Sequence, residues 1–172
     1  MKKVLTFFSL FCLAAINLSA QTVIKNSLPK DMSGVKMNFD VDFSKALIFG
    51  MTEAEFCDHE KDWKKDKKYI AKKMKNSANY ALGKHYSIGD YNFALYTIVV
   101  TINTITKEGY IICDAQVVDK SGVVRLQIEE LSGGKEPLFM PGSKLAKIKF
   151  WSMLTGERLG KILSKEFSHY YN

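Results

Sequence analysis

The chain has 172 residues, 47% of them hydrophobic, and this length suits one domain with a packed core. Its 25 basic and 18 acidic residues give a net charge of +7, which permits contact with anionic lipid, cell-wall polymer or nucleic acid without requiring any of them. Three cysteines are too few for a scaffold that depends on disulfides.

The first twenty residues have the layout of a secretory signal. Two lysines precede an apolar run from Val4 to Ile16, and small residues then lead to Gln21. We predict that residues 1–20 are removed and that the protein is exported to the periplasm or beyond the cell. A membrane-anchoring helix and lipidation at Cys12 are the alternatives. Removal of residues 1–20 lowers the net charge to +5, and no later stretch is long enough to span a membrane. Export argues against a nucleic-acid partner.

The mature chain is predicted to begin with a flexible lead-in over residues 21–39, followed by a single domain over residues 40–172. The stretch from Val41 to Gly50, "VDFSKALIFG", is rich in Val, Phe and Ile and predicts the first strand. Asp40 and Asp42 stand two apart, so both carboxylates are expected on the solvent side of this strand.

A long amphipathic helix is predicted next. Thr52 and Glu55 have the spacing of a capping box, and the helix is expected to break near Asp62 and to end at Leu82–Gly83. Apolar residues return to one side of it, at Phe56, Trp63, Ile70, Met74, Ala78 and Ala81. The rest of the cylinder carries the lysines Lys64, Lys65, Lys68, Lys72 and Lys75.

Three strands follow, within residues 92–106, 110–118 and 123–131, and all are dense in β-branched residues. In the second strand, apolar residues alternate with polar ones, and Cys113 lies on the apolar side. The sequence "DKSG" predicts a hairpin turn in which Gly122 takes a positive φ.

The loop "SGGKEPLFMPGSK" separates the last strand from a second helix over residues 143–167, for which Ser143 is the predicted N-cap. Three apolar residues of this loop, Leu138, Phe139 and Met140, are candidates for partner binding, and covering the end of the sheet is the alternative role. In the helix, Gly156 and Gly160 stand four apart. They predict either a break or a close approach of the backbone to the sheet.

Candidate reactive groups are few. Cys57, Asp58 and His59 are adjacent on a helix, where neighbouring side chains point about 100° apart, so no metal site is predicted. Cys57 and Cys113 are expected either to form a disulfide with each other or to remain as two free thiols. We find no nucleophile motif and no Walker or dinucleotide loop around Gly133–Gly134, so neither catalysis nor a cofactor is predicted. The histidines His59, His85 and His169 are interpreted as surface residues.

Four features together resemble a small α+β domain of bacterial envelope proteins: the strand "FALYTIVVTI", the hairpin "VVDKSGVVRLQI", the pair Gly133–Gly134 and the final "LGKILSKEF" helix. Examples of that domain are the amino-terminal domain of TolB, the lipoprotein activators of penicillin-binding proteins, and part of the curli secretion lipoprotein. The resemblance covers residues 40–167, although the lipoprotein cysteine is lacking. It implies a role in envelope assembly or regulation, by analogy of fold.

The predicted fold is therefore α+β, with a mixed or antiparallel four-stranded sheet and two main helices in the order β-α-β-β-β-α. The predicted function is an exported, non-catalytic module that binds an envelope protein or an anionic cell-wall or lipid surface. Its candidate binding residues are Lys64, Lys68, Lys72, Leu138, Phe139 and Met140. The alternative is a periplasmic carrier of a small apolar ligand, with Tyr91, Phe93 and Tyr96 lining its pocket.

Overall fold

The computed structural model describes residues 22–29, 32–135 and 139–168. This part of the chain holds eight strands and three helices. In chain order they are β1 (Thr22–Asn26), β2 (Lys36–Asp42), β3 (Leu47–Ile48), β4 (Met51–Thr52), α1 (Glu53–His59), α2 (Trp63–Leu82), β5 (Ser87–Gly89), β6 (Tyr96–Ile105), β7 (Ile111–Asp119), β8 (Val124–Ser132) and α3 (Lys144–Ser168).

The strands form one mixed sheet in the order β1-β8-β7-β6-β2-β5. The neighbouring strands β1, β8, β7 and β6 pair antiparallel to one another. In contrast, β2 runs parallel to both β6 and β5. The short β3 continues the parallel pairing along β6 beyond the end of β2 and carries β4 on its other side. Alternate residues of β6 and β7, such as Ile98, Val100 and Cys113, are buried in one core with α2 and α3. The helices therefore cover one face of the sheet.

The predicted β7–β8 hairpin is confirmed. Gly122 takes a φ of +83°, as the turn requires. Asp119 closes the turn: its Oδ1 accepts hydrogen bonds from the backbone N–H groups of Ser121 and Val123, and its Oδ2 lies 2.7 Å from an Arg125 nitrogen. The Ser121 hydroxyl also donates a hydrogen bond to Asp119 Oδ1. This bond is the largest cause of a pKa of the Asp119 carboxyl well below its usual range, and the other bonds add to it.

The predicted four-stranded sheet with two main helices in the order β-α-β-β-β-α is wrong, although the protein is α+β. Two of the additional strands, β1 and most of β2, lie in the segment interpreted as a flexible lead-in. The stretch predicted as the first strand contains only the end of β2 and the two-residue β3. Between them the chain turns, with the Ala46 N–H bonded to the Phe43 carbonyl. The apolar residues Phe43 and Ala46 are therefore buried, as predicted for a strand, but they lie in a turn.

The predicted helix cap and break are confirmed. The Thr52 side chain accepts a hydrogen bond from the Glu55 N–H, and the Glu55 carboxylate accepts one from the Thr52 N–H. The backbone then leaves the helix at Glu60 and re-enters it after Asp62, which separates α1 from α2. A chain of edge-to-face aromatic rings, Phe49–Phe56–Trp63–Phe43, packs α1 and the start of α2 onto the turn at residues 43–46.

The two long helices meet at what we call the glycine seam, formed by Gly156 and Gly160 of α3 against the α2 backbone. A Cβ atom added to Gly156 would overlap the Met74 carbonyl oxygen, and one added to Gly160 would overlap that of Ala78. The predicted close approach of these glycines is therefore present. It is made to α2, however, and not to the sheet, and neither glycine breaks α3. Within the described ranges, no helix combines the length and the apolar character needed to cross a membrane.

A candidate binding face on the helical layer

The solvent side of α2 carries what we call the basic face, formed by Lys64, Lys65, Lys68 and Lys72. All four side chains are exposed, and none makes an ion pair within the part of the chain that the structure describes. With Tyr69 they line one shallow depression, to which α3 contributes Lys149. The structure thus brings the three lysines predicted for partner binding into one place.

Two neighbouring lysines of α2, Lys67 and Lys75, differ from the basic face because each has an acidic partner. The Lys67 Nζ lies 2.6 Å from a Glu53 oxygen, and the Lys75 Nζ lies 2.7 Å from an Asp90 oxygen. The four lysines of the basic face therefore form a group of positive charges that share one depression and have no acidic partner among the described residues. Like charges at this spacing repel one another on a helix, so their grouping does not stabilise α2.

Tyr69 lies at the centre of this surface. The Lys149 Nζ is 4.6 Å from the centre of its ring, and the Lys73 Nζ is 5.9 Å from it. Such contacts are attractive because the face of the ring is electron-rich. Lys149 is also 3.7 Å from Asp66; both residues line the depression, and their pairing ties α3 to α2 there.

A second depression adjoins the first and shares Tyr69 and Lys72 with it. We call it the tyrosine groove. Residues of both helices line it: Tyr69, Lys72, Lys73, Asn76, Ser77 and Tyr80 from α2, and Met153 and Glu157 from α3. Sequence reasoning missed this groove because it exists only where two helices distant in sequence meet. The eleven-residue spacing of Tyr69 and Tyr80, three helical turns, was the available signal.

The apolar loop lies elsewhere. Phe139 is 75% exposed, with the Lys147 Nζ 5.8 Å from its ring centre, whereas Met140 is half-buried against the core. The Met140 N–H donates to a Glu108 oxygen that also pairs with Lys147 at 2.7 Å. The bond from Lys147 holds the pKa of Glu108 below its ordinary value. Neither Phe139 nor Met140 lines the basic depression. Leu138 lies outside the described residues, as does the predicted signal over residues 1–20.

Both cysteines of the described chain are free, Cys57 half-buried and Cys113 buried. Burial raises the pKa of the Cys113 thiol, whose Sγ lies 3.5 Å from the Leu131 carbonyl oxygen. Across residues 22–29, 32–135 and 139–168, no three acidic, cysteine or histidine side chains converge as metal ligands. His59 and His85 are exposed, and His169 lies outside the described residues.

The two carboxylates at the end of β2 serve local roles. One Asp40 oxygen accepts a hydrogen bond from the Val41 N–H, and one Asp42 oxygen accepts from the Ser44 N–H at 2.8 Å. The bonds from Ser44 hold the pKa of Asp42 below its usual range. Asp42 therefore caps the turn that follows β2.

Comparison with known proteins finds no matching protein-family model and no match among curated proteins. Among solved structures, the chain is similar to the PelC dodecamer from Paraburkholderia phytofirmans, at a TM-score of 0.42 and 13% identity. The similarity covers 80% of this chain and 98% of that one. It is too weak to carry an argument about function.

The resemblance to the amino-terminal domain of TolB and to the activators of penicillin-binding proteins is wrong. No family model and no curated protein of either group matches, and a structural neighbour that the comparison does return is PelC. The features that suggested the resemblance, a hairpin with an Asp-Lys-Ser-Gly turn and a glycine pair before a helix, are local. The turn is explained by the bonding of Asp119 and the positive φ of Gly122.

Proposed function

We propose that the protein is an exported, non-catalytic module of the cell envelope that binds an anionic partner through the basic face. One observation carries the proposal: four exposed lysines share one depression without an ion pair among the described residues. Charges arranged in this way add nothing to the stability of the helix, and they attract anions over roughly 8 Å at physiological salt. Export rests on the signal-like pattern of residues 1–20.

Phe139 is the candidate apolar anchor for a protein partner. Its ring is 75% exposed, so it is free to enter a pocket of a partner, whereas the half-buried Met140 is not. We expect Phe139→Ala to speed dissociation, with a loss of about 1 to 2 kcal/mol typical of a modest hot spot. Loss of folding in this variant would remove Phe139 from the proposal.

The alternative of an apolar-ligand carrier gains no support from the residues proposed to line its pocket. Phe93 is 94% exposed, and Tyr91 lines a shallow depression together with the acids Asp40 and Asp90. Such a lining suits polar contacts better than it suits an apolar ligand.

The test compares two variants that lose the same charge. In the first, Lys64, Lys68 and Lys72 become Gln; in the control, the exposed lysines Lys84, Lys107 and Lys120 become Gln. Binding of each purified protein to washed cell envelopes of an exporting host is measured at low and high salt. We expect the first variant to associate more slowly and with weaker salt dependence than the control. Equal binding of the two variants would refute the proposal.

A further inference from the structure

The tyrosine groove differs from the depression of the basic face because it carries a second aromatic ring, Tyr80, in addition to the shared Tyr69. Tyr69 and Tyr80 lie about 16 Å apart along the axis of α2, at 1.5 Å per residue. Between them the groove presents the lysines Lys72 and Lys73 and the uncharged hydrogen-bonding side chains of Asn76 and Ser77.

Tyr80 is 89% exposed, and its side chain makes no hydrogen bond or ring contact within the described residues. An aromatic ring held in water contributes little to the stability of a helix, and it offers a wide apolar surface to a ligand. The acid of the groove, Glu157, is paired with Lys161. The positive charge of Lys72 therefore stays available to an anion.

These features specify the chemistry of a ligand. The lysines select anionic groups, the rings select flat apolar faces, and the amide and hydroxyl groups select hydroxyls. The separation of the rings selects an extended molecule. A chain of sugar acids has all four properties, since each ring has a C–H face, hydroxyls and a carboxylate. Polyphosphate lacks the flat face, and a bilayer surface does not follow a groove between two helices.

We propose that the tyrosine groove binds a linear anionic polysaccharide, with Tyr80 packed against the face of one sugar ring and Lys72 and Lys73 paired with carboxylates. This inference rests on the proposed function, and it specifies the class of anionic partner.

The experiment measures the affinity of the purified protein for four probes: alginate as the polyuronate, dextran as the neutral polysaccharide, linear polyphosphate, and phosphatidylglycerol vesicles. The variants are Tyr80→Ala, Tyr80→Phe, which keeps the ring, and Phe93→Ala, which removes an exposed ring outside the groove. We expect alginate to bind more tightly than dextran and vesicles. Tyr80→Ala should weaken alginate binding about three- to tenfold and leave polyphosphate binding unchanged. Tyr80→Phe and Phe93→Ala should bind alginate like the unmodified protein.

Two results would overturn the inference and leave the proposed function standing. One is equal alginate affinity of Tyr80→Ala and the unmodified protein, and the other is tighter binding of vesicles than of alginate. A third result, no binding of any of the three anionic probes at low salt, would overturn the inference, whereas the proposed function is decided separately by binding of the lysine variants to washed envelopes. Circular dichroism of each variant establishes that the comparison is made between folded proteins.

Discussion

The two sides of α2 follow different rules. On the inner side, Ile70, Met74 and Ala78 are fully buried, and the glycine seam brings the α3 backbone against that of α2. On the outer side, the four lysines of the basic face have no acidic partner among the described residues, and Tyr80 extends into solvent. One helix therefore carries both a tightly packed interface and a surface that packing does not explain.

This difference separates the residues that stabilise the fold from those available for function. Buried apolar groups stabilise a protein by leaving water, whereas the exposed lysines repel one another. Residues two apart in the sequence, such as Ile70 and Lys72, should therefore respond very differently to the same substitution.

The largest effect is expected for Ile70→Ala, which leaves a cavity in the core, where Ile70 is fully buried. Large-to-small substitutions of this kind lower the free energy of unfolding by about 2 to 5 kcal/mol. The control is Lys72→Ala, for which a change within about 0.5 kcal/mol is expected. Urea unfolding followed by circular dichroism measures both. Similar values for the two variants would show that the inner side is not packed as described.

Gly156→Ala should come next. Alanine favours an isolated helix over glycine by about 1 kcal/mol, so an open site would be stabilised. Here the added Cβ overlaps the Met74 carbonyl oxygen, and the helices must separate. We expect a net loss of about 1 to 3 kcal/mol in the free energy of unfolding. A gain in stability on urea unfolding would contradict the close contact at the glycine seam.

A smaller loss of stability is expected for Asp119→Asn, which lies at the β7–β8 turn and not in α2. The folded pKa of Asp119 lies below its unfolded value, so its contribution to stability is complete above about pH 4 and is lost as the pH falls further. The melting temperature of Asp119→Asn should thus be lower than that of the unmodified protein at pH 7. The difference in melting temperature between the two proteins should become smaller below about pH 4. Asp58→Asn, at an exposed helix position, serves as the control; a difference independent of pH would contradict the assigned bonding.

The smallest effect on stability is expected for Lys64, Lys68 and Lys72 changed together to Gln. Removing uncompensated surface charge should leave the free energy of unfolding within about 0.5 kcal/mol of its original value. Urea unfolding at low salt checks this. A loss well above that amount would mean that these lysines hold the fold together, and the contrast between the two sides of α2 would disappear.

Long periodic segments could be predicted from the sequence. The β7–β8 hairpin, the capping box at Thr52 and the ends of α2 have local causes, namely turn chemistry, side-chain capping and an apolar stripe. Among the strands that escaped prediction, β3 and β4 have two residues each and β5 has three, too few to show alternation, while β1 and most of β2 lie in the segment interpreted as a flexible lead-in. Their pairing is decided by neighbours in the sheet and not by their own residues.

The candidate site likewise has one part that could be predicted from the sequence and one part that could not. The lysines of the basic face belong to one helix, so the helical period could group Lys64, Lys68 and Lys72 in advance. The tyrosine groove requires Met153 and Glu157 from α3 beside Tyr80 from α2, and a pairing of helices across the fold leaves no periodic pattern. The spacing of Gly156 and Gly160 indicated a close contact, but the predicted partner was the sheet and the element contacted is α2.

The most direct test of the central claim, that the basic face binds an anionic envelope partner, is a footprint of lysine reactivity. The protein is acylated with an amine-reactive reagent in the presence and absence of washed envelopes, and modification at each lysine is quantified by mass spectrometry. Our account predicts protection of Lys64, Lys68 and Lys72 by envelopes, with no protection of Lys84 and Lys107. Equal modification of all five lysines with and without envelopes would contradict it.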